Sequence, residues 1–176
     1  MGSPIRSMLR QYVALVVLLL MVGITRAEMT LDAFLSESFG GAAPPSAMLW
    51  LTPAVKQRVV AILGHDYPGL RVKYWRKGER TAWVLDEVGK EQPITMGVVV
   101  EQGQILNVEV LAYRESRGGE VRQGFFRQQF MHARLAPGDR LSQPIDGITG
   151  ATLSVGAMTR VARVALALHD VAVGGH

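Results

Sequence analysis

A chain of 176 residues, 48% of them hydrophobic, has material for one domain with a sizeable core and argues against two. The net charge of +4 rests largely on Arg6, Arg10 and Arg26, and the remaining 16 basic residues face 15 acidic ones with no basic, aromatic-interleaved stripe, which excludes a nucleic-acid binder. The absence of cysteine excludes disulfides, thiolate iron–sulfur ligation, thioether-linked haem and thiol catalysis, while His65, His132, His169 and His176 form neither a metal-spaced pair nor a hydrolase-like triplet.

The first predicted element is a leader. Met1 to Arg10 holds two arginines and no acid, Tyr12 to Ile24 is an unbroken apolar run, and Thr25-Arg26-Ala27 ends on a small residue. This is the pattern of an export signal, and the run falls short of the roughly 20 apolar residues that a membrane span needs. Arg26 makes a poor cleavage site, so an uncleaved N-terminal membrane anchor, its arginines on the cytoplasmic side, stands beside the signal-peptide reading. Both readings put the body outside the cytoplasm, in the periplasm.

Glu28 to Ala47 fits no single pattern. Thr30 to Phe39 has the spacing of an amphipathic helix, which Gly40-Gly41 and Pro44-Pro45 would break. A clearer helix follows, with Thr52 as cap, Pro53 in its first turn, Val55, Val59, Ile62 and Leu63 on one face, and Gly64 as its end. After Tyr67-Pro68-Gly69 the period becomes two. Arg71 to Arg76 and Thr81 to Val88 read as strands joined at Lys77-Gly78-Glu79. Ile94 to Glu101 and Ile105 to Tyr113 read as a second hairpin turning at Gln102-Gly103. Val98, Val100, Ile105, Val108 and Val110 supply β-branched bulk, and Glu101, Asn107 and Glu109 mark a wetter face.

Arg114 to Gly119 is turn-like. Glu120 to Ala133 reads as a helix with Phe125, Phe126 and Phe130 on its apolar side, and Leu135 to Pro144 as a loop. A last helix runs from about Ser154 to Asp170 on Val155, Met158, Val161, Ala162, Ala165 and Leu168. The expected fold is α+β, an antiparallel meander of about four strands covered by flanking helices in two layers. Its expected organisation is a leader (1–27), a helical region (28–66), the main domain (67–170) and a flexible tail (171–176).

Asp146-Gly147-Ile148-Thr149-Gly150-Ala151-Thr152-Leu153-Ser154 sets two glycines and three hydroxyls just before the last helix. The glycines permit backbone angles that other residues resist, and Thr152 or Ser154 can cap the helix. The free amides and dipole of a helix start favour phosphate. A plain capped loop explains the same residues equally well, because the stretch lacks both the P-loop spacing and the Gly-x-Gly-x-x-Gly of a dinucleotide site.

Asp146 to Thr152 resembles the flavinylation motif of the FMN-binding domain family: Asp, a small residue, any residue, Ser or Thr, Gly, Ala, then Thr or Ser. That family includes the covalent-flavin subunits of sodium-translocating NADH:quinone reductase and of Rnf-type electron transport complexes, and many small exported proteins. The resemblance extends over roughly Ala82 to Leu168. Ile94 to Ser116 is similar to the family's hairpin leading into a glutamate-containing turn, which puts Glu115 at that glutamate, and Phe125 to Phe130 is similar to the helix that follows. After Glu115 the chain reads Ser116-Arg117-Gly118-Gly119 in place of the Thr-Pro-Gly of the complex subunits, and the leader is its one hydrophobic anchor, so the resemblance implies a small stand-alone member.

The resemblance further implies FMN joined through a phosphoester to Thr152 by a separate, Mg²⁺-dependent FAD:protein FMN transferase. Asp146, Thr149, Gly150 and Ala151 complete the recognition motif, and Ser154 is left to start the helix. Several roles stay open between two readings. Glu115 contacts flavin or closes a turn. Asp146 assists the transferase's metal or forms an Asx turn. Tyr113, Phe125, Phe126 and Phe130 contact the isoalloxazine or fill the core. Arg117 and Arg122 meet flavin phosphate or are merely solvated.

The leading functional expectation is a non-enzymatic electron carrier exchanging electrons with membrane and periplasmic redox proteins. A flavin-dependent reductase of a small molecule is the alternative, although the sequence offers no convincing proton-donor pair. The third reading is an unflavinylated binding or sensory module, against which the intact motif counts.

Overall fold

The computed structural model describes residues 29–174, so the predicted leader and residues 175–176 lie outside it. Helix α1 (Leu31–Phe39) starts where Thr30 Oγ1 accepts the Ala33 N–H at 3.2 Å and ends at Gly40, whose φ of 68° suits glycine. Helix α2 (Pro53–Leu63) follows the sequence closely. Thr52 accepts the Val55 N–H at 3.4 Å, Pro53 opens the first turn, and Gly64 ends the helix at φ 81°.

Five strands, one more than expected, form an antiparallel meander in chain order: β1 (Ser46–Trp50), β2 (Arg71–Lys77), β3 (Arg80–Val88), β4 (Pro93–Glu101) and β5 (Gln104–Tyr113). The added strand is β1, an edge strand that is exposed along most of its length and so lacks the alternation that reveals a half-buried strand. The two hairpin turns fall where the sequence places them. At the second, both central residues have positive φ, Gln102 at 52° and Gly103 at 71°, as the twist of a two-residue hairpin requires.

Both faces of the sheet are covered. On one, Trp83, Met96, Val98 and Val110 pack with α2 and the C-terminal helix α4 (Thr152–Gly174). On the other, Phe34, Leu35 and Phe39 of α1 pack on Trp75, Ala82, Val99 and Leu111, a third partial layer where two were expected. Hence both parities of β4 are apolar.

Strand β5 changes phase twice. Its pairing with β4 shifts register between Val99 and Val100 and between Thr95 and Met96, leaving Leu106 and Leu111 as extra residues. Each extra residue flips the face of those that follow. Ile105, Val108, Val110 and Tyr113, which no period of two could unite, therefore all face α4, while Leu106 and Leu111 face α1.

The helix expected over Glu120 to Ala133 is instead three short turns: a 3-10 turn Gly119–Arg122, a single α-turn α3 (Gly124–Arg127) and a 3-10 turn Gln128–Phe130. Gln123 is extended at φ −70° and ψ 143°, which breaks the helical path before Gly124. Arg127 holds the segment down, donating to Val108 O at 2.8 Å and pairing with Glu109 in a nearly buried ion pair. The loop expected over Leu135 to Pro144 contains a small hairpin, β6 (Leu135–Ala136) with β7 (Arg140–Leu141), turning at Gly138 and Asp139.

Helix α4 runs four residues past the expected end at Asp170. Its C-terminal half is locked by His169. Gly103 N–H donates to His169 Nε2 at 3.2 Å, so Nδ1 carries the proton and donates to Thr81 Oγ1 at 2.8 Å, which also accepts from Trp83 Nε1–H at 2.8 Å. Among the described residues no helix is long and apolar enough to cross a membrane.

The contact between α1 and the sheet is tight enough to test. A Cβ on Gly97 would lie 2.6–2.8 Å from the Phe34 ring, which is fully buried and has no room to yield. Gly97→Ala is expected to destabilise the fold by about 1–3 kcal/mol through overpacking. A urea titration checks this, with the midpoint lowered and the slope unchanged.

Candidate cofactor site

The site lies where the start of α4 meets the end of β5 and the β3–β4 loop. Ala151 N–H donates to Ile148 O at 2.9 Å, closing a turn through Thr149 and Gly150. Gly150 has φ +83° with open space about it, so the angle and not crowding calls for glycine. Gly147 has neither a positive φ nor a close neighbour, and the special backbone freedom expected of it is not used.

The first helical bond of α4 runs from Val155 N–H to Ala151 O at 2.9 Å. The expected caps do not form. Thr152 is the first residue inside the helix, and Ser154 is buried with its hydroxyl turned to Tyr113 at 3.0 Å. Among the described residues no side chain accepts from the amides of Thr152, Leu153 or Ser154, so the helix start keeps open donors beside the exposed Thr152 hydroxyl.

Tyr113 ties the site together. Its hydroxyl donates to Arg117 O at 2.5 Å, so the Ser154 hydroxyl must donate to Tyr113. Burial pushes the Tyr113 pKa up, opposed by the Ser154 hydrogen bond, and the phenol stays a donor. A Cβ on Gly118 would lie 2.9 Å from the Tyr113 hydroxyl, 3.1 Å from Ser154 Oγ and 3.2 Å from the Ala151 methyl, and φ there is +81°. Angle and space both demand glycine. Sequence reasoning missed this role, because the signal, one of two adjacent glycines in a turn, has no register until Tyr113 is turned toward α4.

Glu115 closes a turn. Its Oε1 accepts from the amides of Lys90, Glu91 and Gln92 at 2.5, 2.7 and 3.0 Å, pinning the β3–β4 loop to the end of β5. Those hydrogen bonds, Gln92 and Glu91 foremost, hold the carboxyl below its ordinary 4.5. Between this loop, Ser116-Arg117 and Gly150 to Ser154 lies a cavity of about 560 Å³. Lys90 and Arg117 bring positive charge to its wall, Glu115 and Glu91, the latter paired with Lys90 at 3.4 Å, bring negative charge, and Leu153, 55% exposed, brings apolar surface.

The structure therefore gathers Glu115, Gly150, Ala151 and Thr152 around one cavity and leaves Asp146 and Thr149 outside its lining, both exposed. Asp146 N–H donates to Gln129 Oε1 at 2.7 Å, while its carboxylate accepts no hydrogen bond from any described residue, so no Asx turn forms. The aromatics divide. Phe126 and Phe130 are fully buried, edge to face at 5.6 Å, and serve the core. Phe125 is 64% exposed, and Arg122 lies over the Tyr113 ring at 5.6 Å.

Residues 89–167 match a family model described as the FMN-binding domain. No curated protein matches the chain. The match takes in every wall of the cavity, from the β3–β4 loop to the first turns of α4.

Two outcomes test this geometry. Tyr113→Phe removes the link between Arg117 O and Ser154 and leaves a buried hydroxyl unpaired. It is expected to cost about 1–3 kcal/mol in denaturant unfolding. Glu115 titrates low because its charged form is the one the amides bind, so its stabilisation is present above 4.5 and fades as pH falls through the lowered folded value. In NMR titrations the amide shifts of Lys90, Glu91 and Gln92 should move together with a midpoint below 4.5, and Glu115→Gln should abolish the common transition.

Proposed function

Residues 89–167 make this chain a member of the FMN-binding domain family, and from that premise we propose that it is an exported electron carrier with FMN joined through a phosphoester to Thr152. The observation that carries the reading is the exposed Thr152 hydroxyl on the wall of the cavity, beside open helix amides and across from Lys90 and Arg117. These residues fit the group. A volume of about 560 Å³ lies in the range of clefts that hold cofactors, and an anion at a helix start gains about 0.3–1 kcal/mol at exposed sites.

In attachment, the Thr152 oxygen bonds to the FMN phosphorus of FAD, the pyrophosphate bond breaks, AMP departs with the bonding pair, and the hydroxyl proton passes to solvent. The transferase that performs the exchange brings Mg²⁺. The approach to Thr152 suits such an enzyme, since Asp146, Gly147, Thr149 and Gly150 are all exposed and the Asp146 carboxylate is uncommitted.

Bound FMN supplies reversible one- and two-electron transfer. The chain's own residues would hold it: the amides of Thr152, Leu153 and Ser154 would meet the phosphate, Lys90 and Arg117 would offset its charge, and Glu115 fixes the loop that carries Lys90. Of the acid groups at the cavity, Glu115 is engaged through Oε1 by three amides, and Glu91 pairs with Lys90 at 3.4 Å. Export, by signal peptide or N-terminal anchor, would set the carrier among membrane and periplasmic redox partners, where a covalent tether prevents loss of flavin.

Co-expression with a flavin transferase tests the site. Flavin fluorescence should stay with the denatured protein band, survive Thr152→Ser and vanish in Thr152→Ala while circular dichroism is unchanged. Fluorescence persisting in Thr152→Ala would overturn the assignment. A wild-type band without flavin would make the chain an unflavinylated module. Rapid turnover of a small acceptor without a partner protein would make it a reductase.

A further inference from the structure

The pairing of β2 with β3 stops early. Tyr74 to Lys77 pair with Trp83 to Arg80, but Arg71, Val72 and Lys73 keep partners only in β1, and Val84 to Val88 only in β4. The two strands part, and a cleft of about 410 Å³ opens between their free edges. Leu63, Val72, Leu85, Val161 and Val164 line it on the side of the helices.

Backbone N–H and C=O groups are obligatory hydrogen-bonding groups, and a free strand edge is a template for another strand. This cleft presents two such edges facing one another. The free edge of β3 spans Val84 to Val88, roughly 16 Å at strand rise.

Charge specifies the occupant further. Arg71 and Lys73 are exposed on the outer side of the cleft, the Arg71 guanidinium lying over the Trp50 ring of β1 at 5.5 Å, with Val72 turned inward between them. Asp86 accepts from the Thr95 hydroxyl at 2.5 Å. Buried Glu87 is held by Arg160 at 2.7 Å and by His65 at 3.0 Å. His65 Nδ1 faces Asp66 O at 2.9 Å while Nε2 faces the Glu87 carboxylate, and both contacts raise its pKa above the usual imidazole value. Arg160 offsets Glu87, and Arg71 and Lys73 outweigh Asp86. The cleft is net positive, and Val88 leads directly into the loop that lines the cofactor cavity.

We propose that the split receives an extended segment of a partner protein as a strand added between β2 and β3, with apolar side chains turned inward and acidic ones outward at alternate positions. Main-chain pairing supplies affinity, and the apolar floor and the Arg71–Lys73 rim supply specificity. The proposal is independent of the flavin, and it would seat a redox partner beside the candidate cofactor cavity.

The test is fluorescence anisotropy with the full chain and a labelled, end-blocked heptapeptide of alternating valine and glutamate. Saturable binding is expected, weakened about tenfold by Arg71→Glu with Lys73→Glu, both exposed positions. The same peptide N-methylated at alternate amides should not bind. Equal binding of the N-methylated peptide, indifference to charge reversal, or displacement by valerate at the peptide's own concentration would each overturn strand addition.

Discussion

The packing of α4 against the sheet is the contact on which the site depends. Twelve of its residues are buried, and from Val164 to His169 the burial is continuous, because the sheet lies on one side and α2 on another. Each buried Val or Leu contributes about 1.5–3 kcal/mol relative to exposure. A helix held this way needs no cap to hold its first turn, and the roughly 1 kcal/mol that a cap supplies can be forgone. Its start is therefore free to offer open amides to a cavity.

What surrounds that start is decided by one extra residue in β5. Leu111 turns Tyr113 to the α4 face, where its hydroxyl joins the 115–118 turn to Ser154. Gly118 makes room for this junction, and Glu115 extends it to the β3–β4 loop. Three segments distant in sequence are thus fastened by hydrogen bonds that leave Thr152 outside them. The exposed hydroxyl stays accessible, while the frame behind it is rigid.

The β3–β4 loop is fixed from both sides. Glu87 precedes it, buried between Arg160 and His65, as a buried carboxylate must be when its charge is retained. Lys90, Glu91 and Gln92 within it are pinned by Glu115. The same short stretch forms a wall of the candidate cofactor cavity and the end of the cleft between β2 and β3. Ion pairs on one side and amide hydrogen bonds on the other keep two neighbouring openings apart.

Strands β2 to β5, both ends of α2 and the body of α4 were legible in the sequence because their signals are local: alternation, a threonine cap, a terminal glycine and helical spacing of apolar residues. The motif from Asp146 to Thr152 was legible as a string of residue types, and Thr152 and Glu115 do face one cavity. Strand β1 escaped because an exposed edge carries no alternation. The helix over Glu120 to Ala133 failed because Gln123 is extended and Arg127 is drawn to Glu109, a partner whose nearness no local pattern reveals. The sequence alone therefore determined the elements and the chemistry available near the last helix, since both depend on neighbours along the chain. Only the tertiary structure decided that Ser154 bonds Tyr113 instead of capping, that Glu115 holds a loop, and that the sheet splits between β2 and β3, because bulges and long-range hydrogen bonds act between residues that meet only once the chain has folded.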